Sequence, residues 1–455
     1  MEFSEAFEYS GCTPSVSPDG TYLAAPLGQR LIVRNLQTLR VEYLFTCVDR
    51  ICQLQWCGDS SKLLCRLHGR AVLQVWSLAQ PEWECKINQG VAGAAAALWS
   101  PDGRSVLVAS DFGIKLSVWS LAERKCMANL PGPKHSVNCM ALSPDGQILA
   151  IVERTECKDF LVLVSTATWR LTSRRVVGSS DLAAIAWSPD GSRLAAWDAV
   201  LQYKALLFGR DGAAKGSYCA YQDALGIEDG AWQPRGQMLA LGSCDQAVRL
   251  LHNTTFQPLA TLAHPSTLES PPLHHSLTAY QESDESAADQ QQQHARTAQK
   301  KGYKAAGSGF KVQSLPVHLP EAKGGAEGTT KLAGIGQVKW SADGRWLAAW
   351  SEAVPRAVWV WDMQTLRADS VIVHTCPAVA LQWHPSLPQL AIATNTPCMY
   401  LWAPQGMTTV KLPMSAFRVS GIAWGLDGST VLLRDLNRFV VAFVEMEAQA
   451  LGPEP

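Results

Sequence analysis

Four aspartates, Asp102, Asp145, Asp190 and Asp343, recur in the same short word, a serine, a proline or alanine, the aspartate and a glycine. Carboxylates set near one another or beside a histidine could act as general acid and base. These four stand at the third position of a tight turn, where aspartate suits the backbone geometry, so turn formation explains them without catalysis. Other chemistry is equally thin. Gly334-Ile335-Gly336 lacks the third glycine and the following helix of a dinucleotide loop, and no GxxxxGK[ST], HExxH or GxSxG word is present. His274, His275 and His294 fall in a polar stretch, where metal binding would be accidental, whereas His135 and His264 stand among the repeats, where a structural role fits. Cys47, Cys52 and Cys57 are evenly spaced but lack the two close pairs of a zinc site. The reading is of a non-enzyme with no catalytic, cofactor-binding or metal-ligating residues.

The composition narrows the class. Of 455 residues, 47% are hydrophobic, and 39 Lys+Arg balance 40 Asp+Glu to a net charge of −1. That supports a large core and argues against disorder or a general nucleic-acid-binding surface. No apolar run reaches the roughly 18 residues of a membrane span, and MEFSEAFEYS carries acids where a signal peptide needs bases, so a soluble, intracellular protein is expected. Thirteen cysteines with no CxxC pair read as reduced thiols, with Cys65, Cys139 and Cys219 in apolar strand-like runs.

The elements that position these residues repeat. SVSPDG, LQWCGD, LWSPDG, ALSPDG, AWSPDG, AWQPRG, KWSADG, QWHPSL and AWGLDG are anchored at Val16, Trp56, Trp99, Leu142, Trp187, Trp232, Trp340, Trp383 and Trp424, with gaps of 40, 43, 43, 45, 45, 108, 43 and 41 residues. Each unit reads as a hairpin turn, an apolar run such as Arg104 to Ser110, a second turn at Asp111-Phe112-Gly113, and two further strands. Four short strands per unit predict an all-β propeller of about nine four-stranded blades. Runs such as Phe160 to Val164 and Val431 to Leu433 are apolar on both faces, as a blade covered by two neighbours requires. Small residues in the first strands, Gly93 to Ala97, Leu182 to Ala186 and Gly421 to Ala423, fit the crowded axis.

The last unit is one strand short, and Phe3 to Ser10 precede the first turn with no blade of their own. They are expected to complete the ninth sheet and remove its free edge. Residues 1–265 thus hold six units and 331–455 the last three; a seven-blade ring with two irregular units, or two smaller rings, also fits. Residues 266–330 carry Pro271-Pro272, an acidic patch at Glu282, Asp284 and Glu285, Gln290 to Gln293 and a basic patch at Lys300, Lys301 and Lys304. This composition predicts a flexible low-complexity insertion from the sixth blade, with Phe310 to Leu319 able to return as a strand.

Val72 to Leu78, Ala357 to Asp362 and Gly242 to Arg249 resemble WD40 strand endings, although only Trp361-Asp362 keeps the Trp-Asp pair at a strand end. Asp111 and Asp245 match the WD40 turn aspartate. FSEAF, SPDGTYLA, Gln80 to Ile87, Cys157 to Phe160, Trp197-Asp198 with Tyr203-Lys204, and AVWVWD together resemble the spindle-pole and centrosomal WD-repeat family. That resemblance implies a scaffold at the centrosome, centriolar satellite, spindle pole or basal body, with parts in microtubule minus-end anchoring, spindle assembly and cilium assembly. It also implies a coiled-coil microtubule-anchoring partner and a minus-end-directed kinesin. A translation-initiation-type nine-blade propeller and a ubiquitin-ligase substrate receptor are the alternatives; the first calls for a basic face and a helical extension, the second for an adaptor-binding segment. Partner binding is expected where family-like words leave the repeat pattern, at Pro81, Glu82, Trp83, Lys158, Asp159, Gln202, Tyr203 and Lys204. No nucleic acid is expected as partner.

Overall fold

Five of the nine recurring turns close their hairpins with the same serine–aspartate clasp. In the third unit Gly103 adopts φ +64°, Ser100 Oγ accepts the Ser105 N–H at 2.9 Å and donates to the Asp102 carboxylate, which accepts the Arg104 N–H at 3.0 Å. Ser17/Asp19, Ser143/Asp145, Ser188/Asp190 and Ser341/Asp343 repeat the serine–aspartate bond. A turn that needs left-handed backbone and ties up its own polar groups directs the chain straight back as a second strand.

The computed structural model describes residues 1–135, 138–269, 277–283, 309–321 and 334–444. Among them, seven sheets are four-stranded antiparallel meanders, and the seventh and ninth blades are extended to six and five strands. The third blade is typical, with strands Ala96–Trp99, Ser105–Ala109, Lys115–Ser120 and Lys125–Pro131 paired in chain order. The architecture is a nine-blade propeller with no α-helix among the described residues. No helix there is long and apolar enough to cross a membrane.

Closure is visible in the packing. Apolar clusters lie between every pair of successive blades, and Leu23, Ala25 and Leu36 of the first pack on Leu432, Phe439 and Val441 of the ninth. Nine junctions for nine blades make one ring, which excludes both the seven-blade and the two-ring readings. Glu2–Phe3 and Phe7–Glu8 pair antiparallel with Arg438–Phe443, so the N-terminus supplies the missing edge of the ninth sheet. Tyr9 follows them, buried, with its hydroxyl donating to Asp435 O at 2.7 Å.

The recurrent tryptophan joins one blade to the next. Trp56, Trp99, Trp187, Trp232, Trp340, Trp383 and Trp424 each donate the indole N–H to a carbonyl in the first strand of the preceding blade, at 2.9–3.3 Å. The acceptor is always the residue just before the preceding anchor. Val16 and Leu142 cannot donate, so the ninth-to-first and third-to-fourth junctions close by apolar packing without this bond.

Parts of the 266–330 interval are strands. Thr278–Glu282 runs parallel to Arg367–Val373, the outer strand of the seventh blade, and Phe310–Gln313 pairs beyond it. Thr267–Leu268 pairs with Val317–His318, burying Leu268, Val317 and Leu319 between blades six and seven. The interval thus widens the seventh blade, because its few apolar residues are spaced to cover a sheet edge. Its polyglutamine, the 300–304 basic patch, His274, His275 and His294 lie outside the described residues.

Several sequence readings change at the level of side chains. Cys219 is exposed in the loop after its strand, whereas Cys65 and Cys139 are buried. His135 is exposed, while His264 is buried and its Nε2 accepts the Trp361 indole N–H at 3.3 Å.

Candidate functional site

Because strands alternate in direction, loops joining first to second and third to fourth strands share one end of the ring. Those joining second to third strands, and one blade to the next, share the other. The expected partner-binding residues therefore fall into two groups. Pro81, Glu82 and Trp83 lie in a third-to-fourth-strand loop at the turn-bearing end, and Lys158, Asp159, Gln202, Tyr203 and Lys204 lie at the opposite end.

At the turn-bearing end a cleft of about 880 Å³ runs across blades two, three and four. Trp83 walls it from the second blade, where part of its ring also packs on the core between blades two and three. Leu121 and Met127 come from the third blade and Trp169 from a tight turn of the fourth, at φ +54°. The apolar wall is interrupted by cations: Lys62, Arg104 and Arg124 line the cleft, and the Arg124 guanidinium lies 6.0 Å from the Trp83 ring centre. Asp102 also lines it, but its Oδ1 is bonded within its own turn. Pro81 and Glu82 are exposed beside Trp83. Aromatic and arginine side chains in one cleft are the ingredients of a protein-binding hot spot.

The opposite end is built differently. Asp159 is 1% exposed: Lys134 Nζ lies 3.1 Å away, Arg154 NH1 3.3 Å, and the Leu182 N–H donates at 2.7 Å. Asp181 bridges the same two cations, and the hydrogen bond from Lys134 holds its carboxyl below the usual range. This network ties the fourth blade to the fifth and leaves Asp159 no surface for a partner. Tyr203 is likewise 1% exposed, with its ring against Tyr218 and Tyr221 and the Arg249 guanidinium 5.2 Å from its centre. Burial raises its hydroxyl pKa. Both residues, expected at the surface, are structural, because the polar words that single them out are tucked under neighbouring loops. Lys158 and Gln202 are exposed and Lys204 is half-buried with Nζ bonded to Gly178 O. Gln202, Tyr203 and Lys204 border a hollow of about 610 Å³ with Asp181 and Asp198; burial raises the Asp198 carboxyl.

Sequence reasoning missed Arg104, Arg124, Met127 and Trp169, which meet only because three blades stand side by side. It also missed an apolar knob at the opposite end. Val91 and Phe112 are fully exposed and Ile114 is two-thirds exposed, on two loops that touch where a Cβ on Gly93 would strike Asp111. The one available signal was Phe112 inside an otherwise polar turn. Among the described residues no group of three or more His, Cys, Asp or Glu is placed to hold a metal ion.

Comparison with known proteins agrees with this geometry. Residues 124–159 match the WD domain, G-beta repeat family. The chain is 37% identical over 449 residues to the WD repeat-containing protein WRAP73 of Mus musculus, covering 98% of this chain and 96% of that one. It is 25% identical over 451 residues to an uncharacterized WD repeat-containing protein of Schizosaccharomyces pombe, covering 93% and 88%. Among solved structures, the C-terminal WD40 domain of Sif2 superimposes with a TM-score of 0.50 at 11% identity, covering 85% of this chain and 93% of that domain, a likeness of fold alone.

Proposed function

Because the chain belongs to the WD-repeat family of WRAP73, we propose that it is a non-enzymatic scaffold at microtubule-organising centres: the centrosome, its satellites, the spindle pole or the basal body. There it holds protein partners that anchor microtubule minus ends and support spindle and cilium assembly, among them a coiled-coil anchoring protein and a minus-end-directed kinesin. The observation that carries the scaffold role is the cleft across blades two to four, an aromatic and cationic surface fixed on rigid strands at one end of a closed ring. A rigid ring presents such a surface without conformational cost on binding. The cellular site rests on the resemblance of the full-length words, FSEAF to AVWVWD, to the spindle-pole family.

A tagged chain expressed in dividing and in ciliated cells tests this reading. Concentration at spindle poles and basal bodies, with co-purification of a coiled-coil anchoring protein, is the expected result. Diffuse or ribosome-bound protein without such a partner would overturn it.

A further inference from the structure

We propose that the cleft across blades two to four is the seat of a short acidic partner segment that carries one bulky apolar side chain. The inference rests on the scaffold reading and gives its partner a chemistry. The cleft's volume, about 880 Å³, lies near the top of the ~300–1,000 Å³ range of discrete pockets, which fits a linear segment better than a globular surface. Its walls divide the labour of recognition. Trp83, Leu121, Met127 and Trp169 offer an apolar trough, of which Met127 is 44% exposed. Lys62, Arg104 and Arg124 stand along the same trough against one lining carboxylate, Asp102.

That carboxylate is already engaged by Ser100 and the Arg104 backbone. Nearby Glu123 is taken by Lys125 at 2.6 Å. Among the described residues neither Arg104 nor Arg124 forms an ion pair, and the ring of Trp83 is what faces the Arg124 guanidinium. Guanidinium groups placed beside apolar surface and lacking a carboxylate favour an incoming acid, which binds them in a partly dewatered setting. A basic segment would meet repulsion, and an uncharged apolar one would leave the cations unmatched.

The test is a selection of random dodecapeptides displayed on phage against the purified full-length chain, with the R104E/R124E chain as counter-bait. The account expects enriched peptides rich in Asp and Glu around one Trp, Phe, Leu or Met, lost on the counter-bait. The synthetic version of the enriched peptide, measured by fluorescence anisotropy, loses about tenfold or more in affinity to R104E/R124E and weakens as salt is raised. Ala122→Trp, which fills the cleft from an exposed position, abolishes binding with an unchanged melting curve. Basic or charge-free peptides, equal binding to both chains, or no enrichment would each overturn the inference. Acidic peptides selected by a chain that does not reach spindle poles would remove the cellular reading and leave the cleft assignment standing. A chain at the poles whose cleft selects nothing acidic would do the reverse.

Discussion

The indole N–H of Trp99 donates to the carbonyl of Gln55, 44 residues earlier, at 3.2 Å, and so joins the innermost strand of the third blade to that of the second. The bond repeats at seven of nine junctions, its acceptor always the residue just before the preceding anchor. Trp99→Phe keeps most of the ring's packing but orphans that carbonyl, and should cost about 1–2 kcal/mol, read as a lowered urea midpoint with unchanged slope. A midpoint indistinguishable from wild type would show that packing alone carries the junction.

The two junctions without this bond, at Leu142 and Val16, should open more readily. Hydrogen exchange at Met140–Leu142 and Ser15–Val16 is expected to be faster than at Leu182–Trp187 or Ile227–Trp232. Uniform protection around the ring would contradict a stabilising role for the tryptophan bond.

N-terminal closure gives a third expectation. Phe7 packs on Phe439 with ring centres 5.4 Å apart and Arg34 lies 4.2 Å over its ring, so the segment binds blades nine and one together. Removing residues 1–9 exposes the edge of Arg438–Phe443 and should lower the thermal midpoint far more than its length implies, and Tyr9→Ala alone should cost about 3 kcal/mol. Truncated and full chains that melt together would argue against closure by this strand.

Stability should also fall on the acid side in two windows. Burial pushes His264 from 6.5 to about 4, so it is neutral in the folded ring while the unfolded chain protonates near pH 6.5. Its contribution is intact above that pH and is lost as pH falls from 6.5 to 4, at up to ~1.4 kcal/mol per pH unit. For Glu282, burial would raise the carboxyl, but the His374 ring 3.6 Å away and hydrogen bonds from the Tyr400 hydroxyl and the Thr375 N–H prevail and bring it from 4.5 to about 2. That contribution is present above pH 4.5 and drains between 4.5 and 2. Denaturant titrations across pH should show His264→Gln flattening the first window and Glu282→Gln the second; unchanged slopes would contradict these assignments.

Asp159 and Lys158 separate structure from surface. Asp159→Asn leaves the nearly buried Lys134 with one carboxylate instead of two and should cost about 3 kcal/mol, whereas exposed Lys158→Ala should stay within about 0.5 kcal/mol. Equal effects would mean that the network does not hold blades four and five.

The difference between what was legible and what was not follows the range of the interactions. Turns are local: Ser100 to Gly103 determine their own geometry, so the blade period and the unpaired N-terminal strand could be read directly. Thr278–Glu282 could not be assigned to the edge of the seventh blade, because a parallel pairing with a strand some 90 residues later leaves no periodic trace. The acceptors of the tryptophans and the meeting of Trp83, Arg124 and Trp169 depend on how blades stand beside one another. Asp159 and Tyr203 look like surface polar words for the same reason, since the groups that bury them come from other loops and blades.

The most direct measurement of the central claim is single-particle electron microscopy of the purified full-length chain. The account predicts one ring of nine spokes around a single channel, with density for residues 2–8 on the outer edge of the ninth. A seven-spoke ring with two blades packed elsewhere, two separate rings, or a ninth sheet whose edge is bare would contradict it.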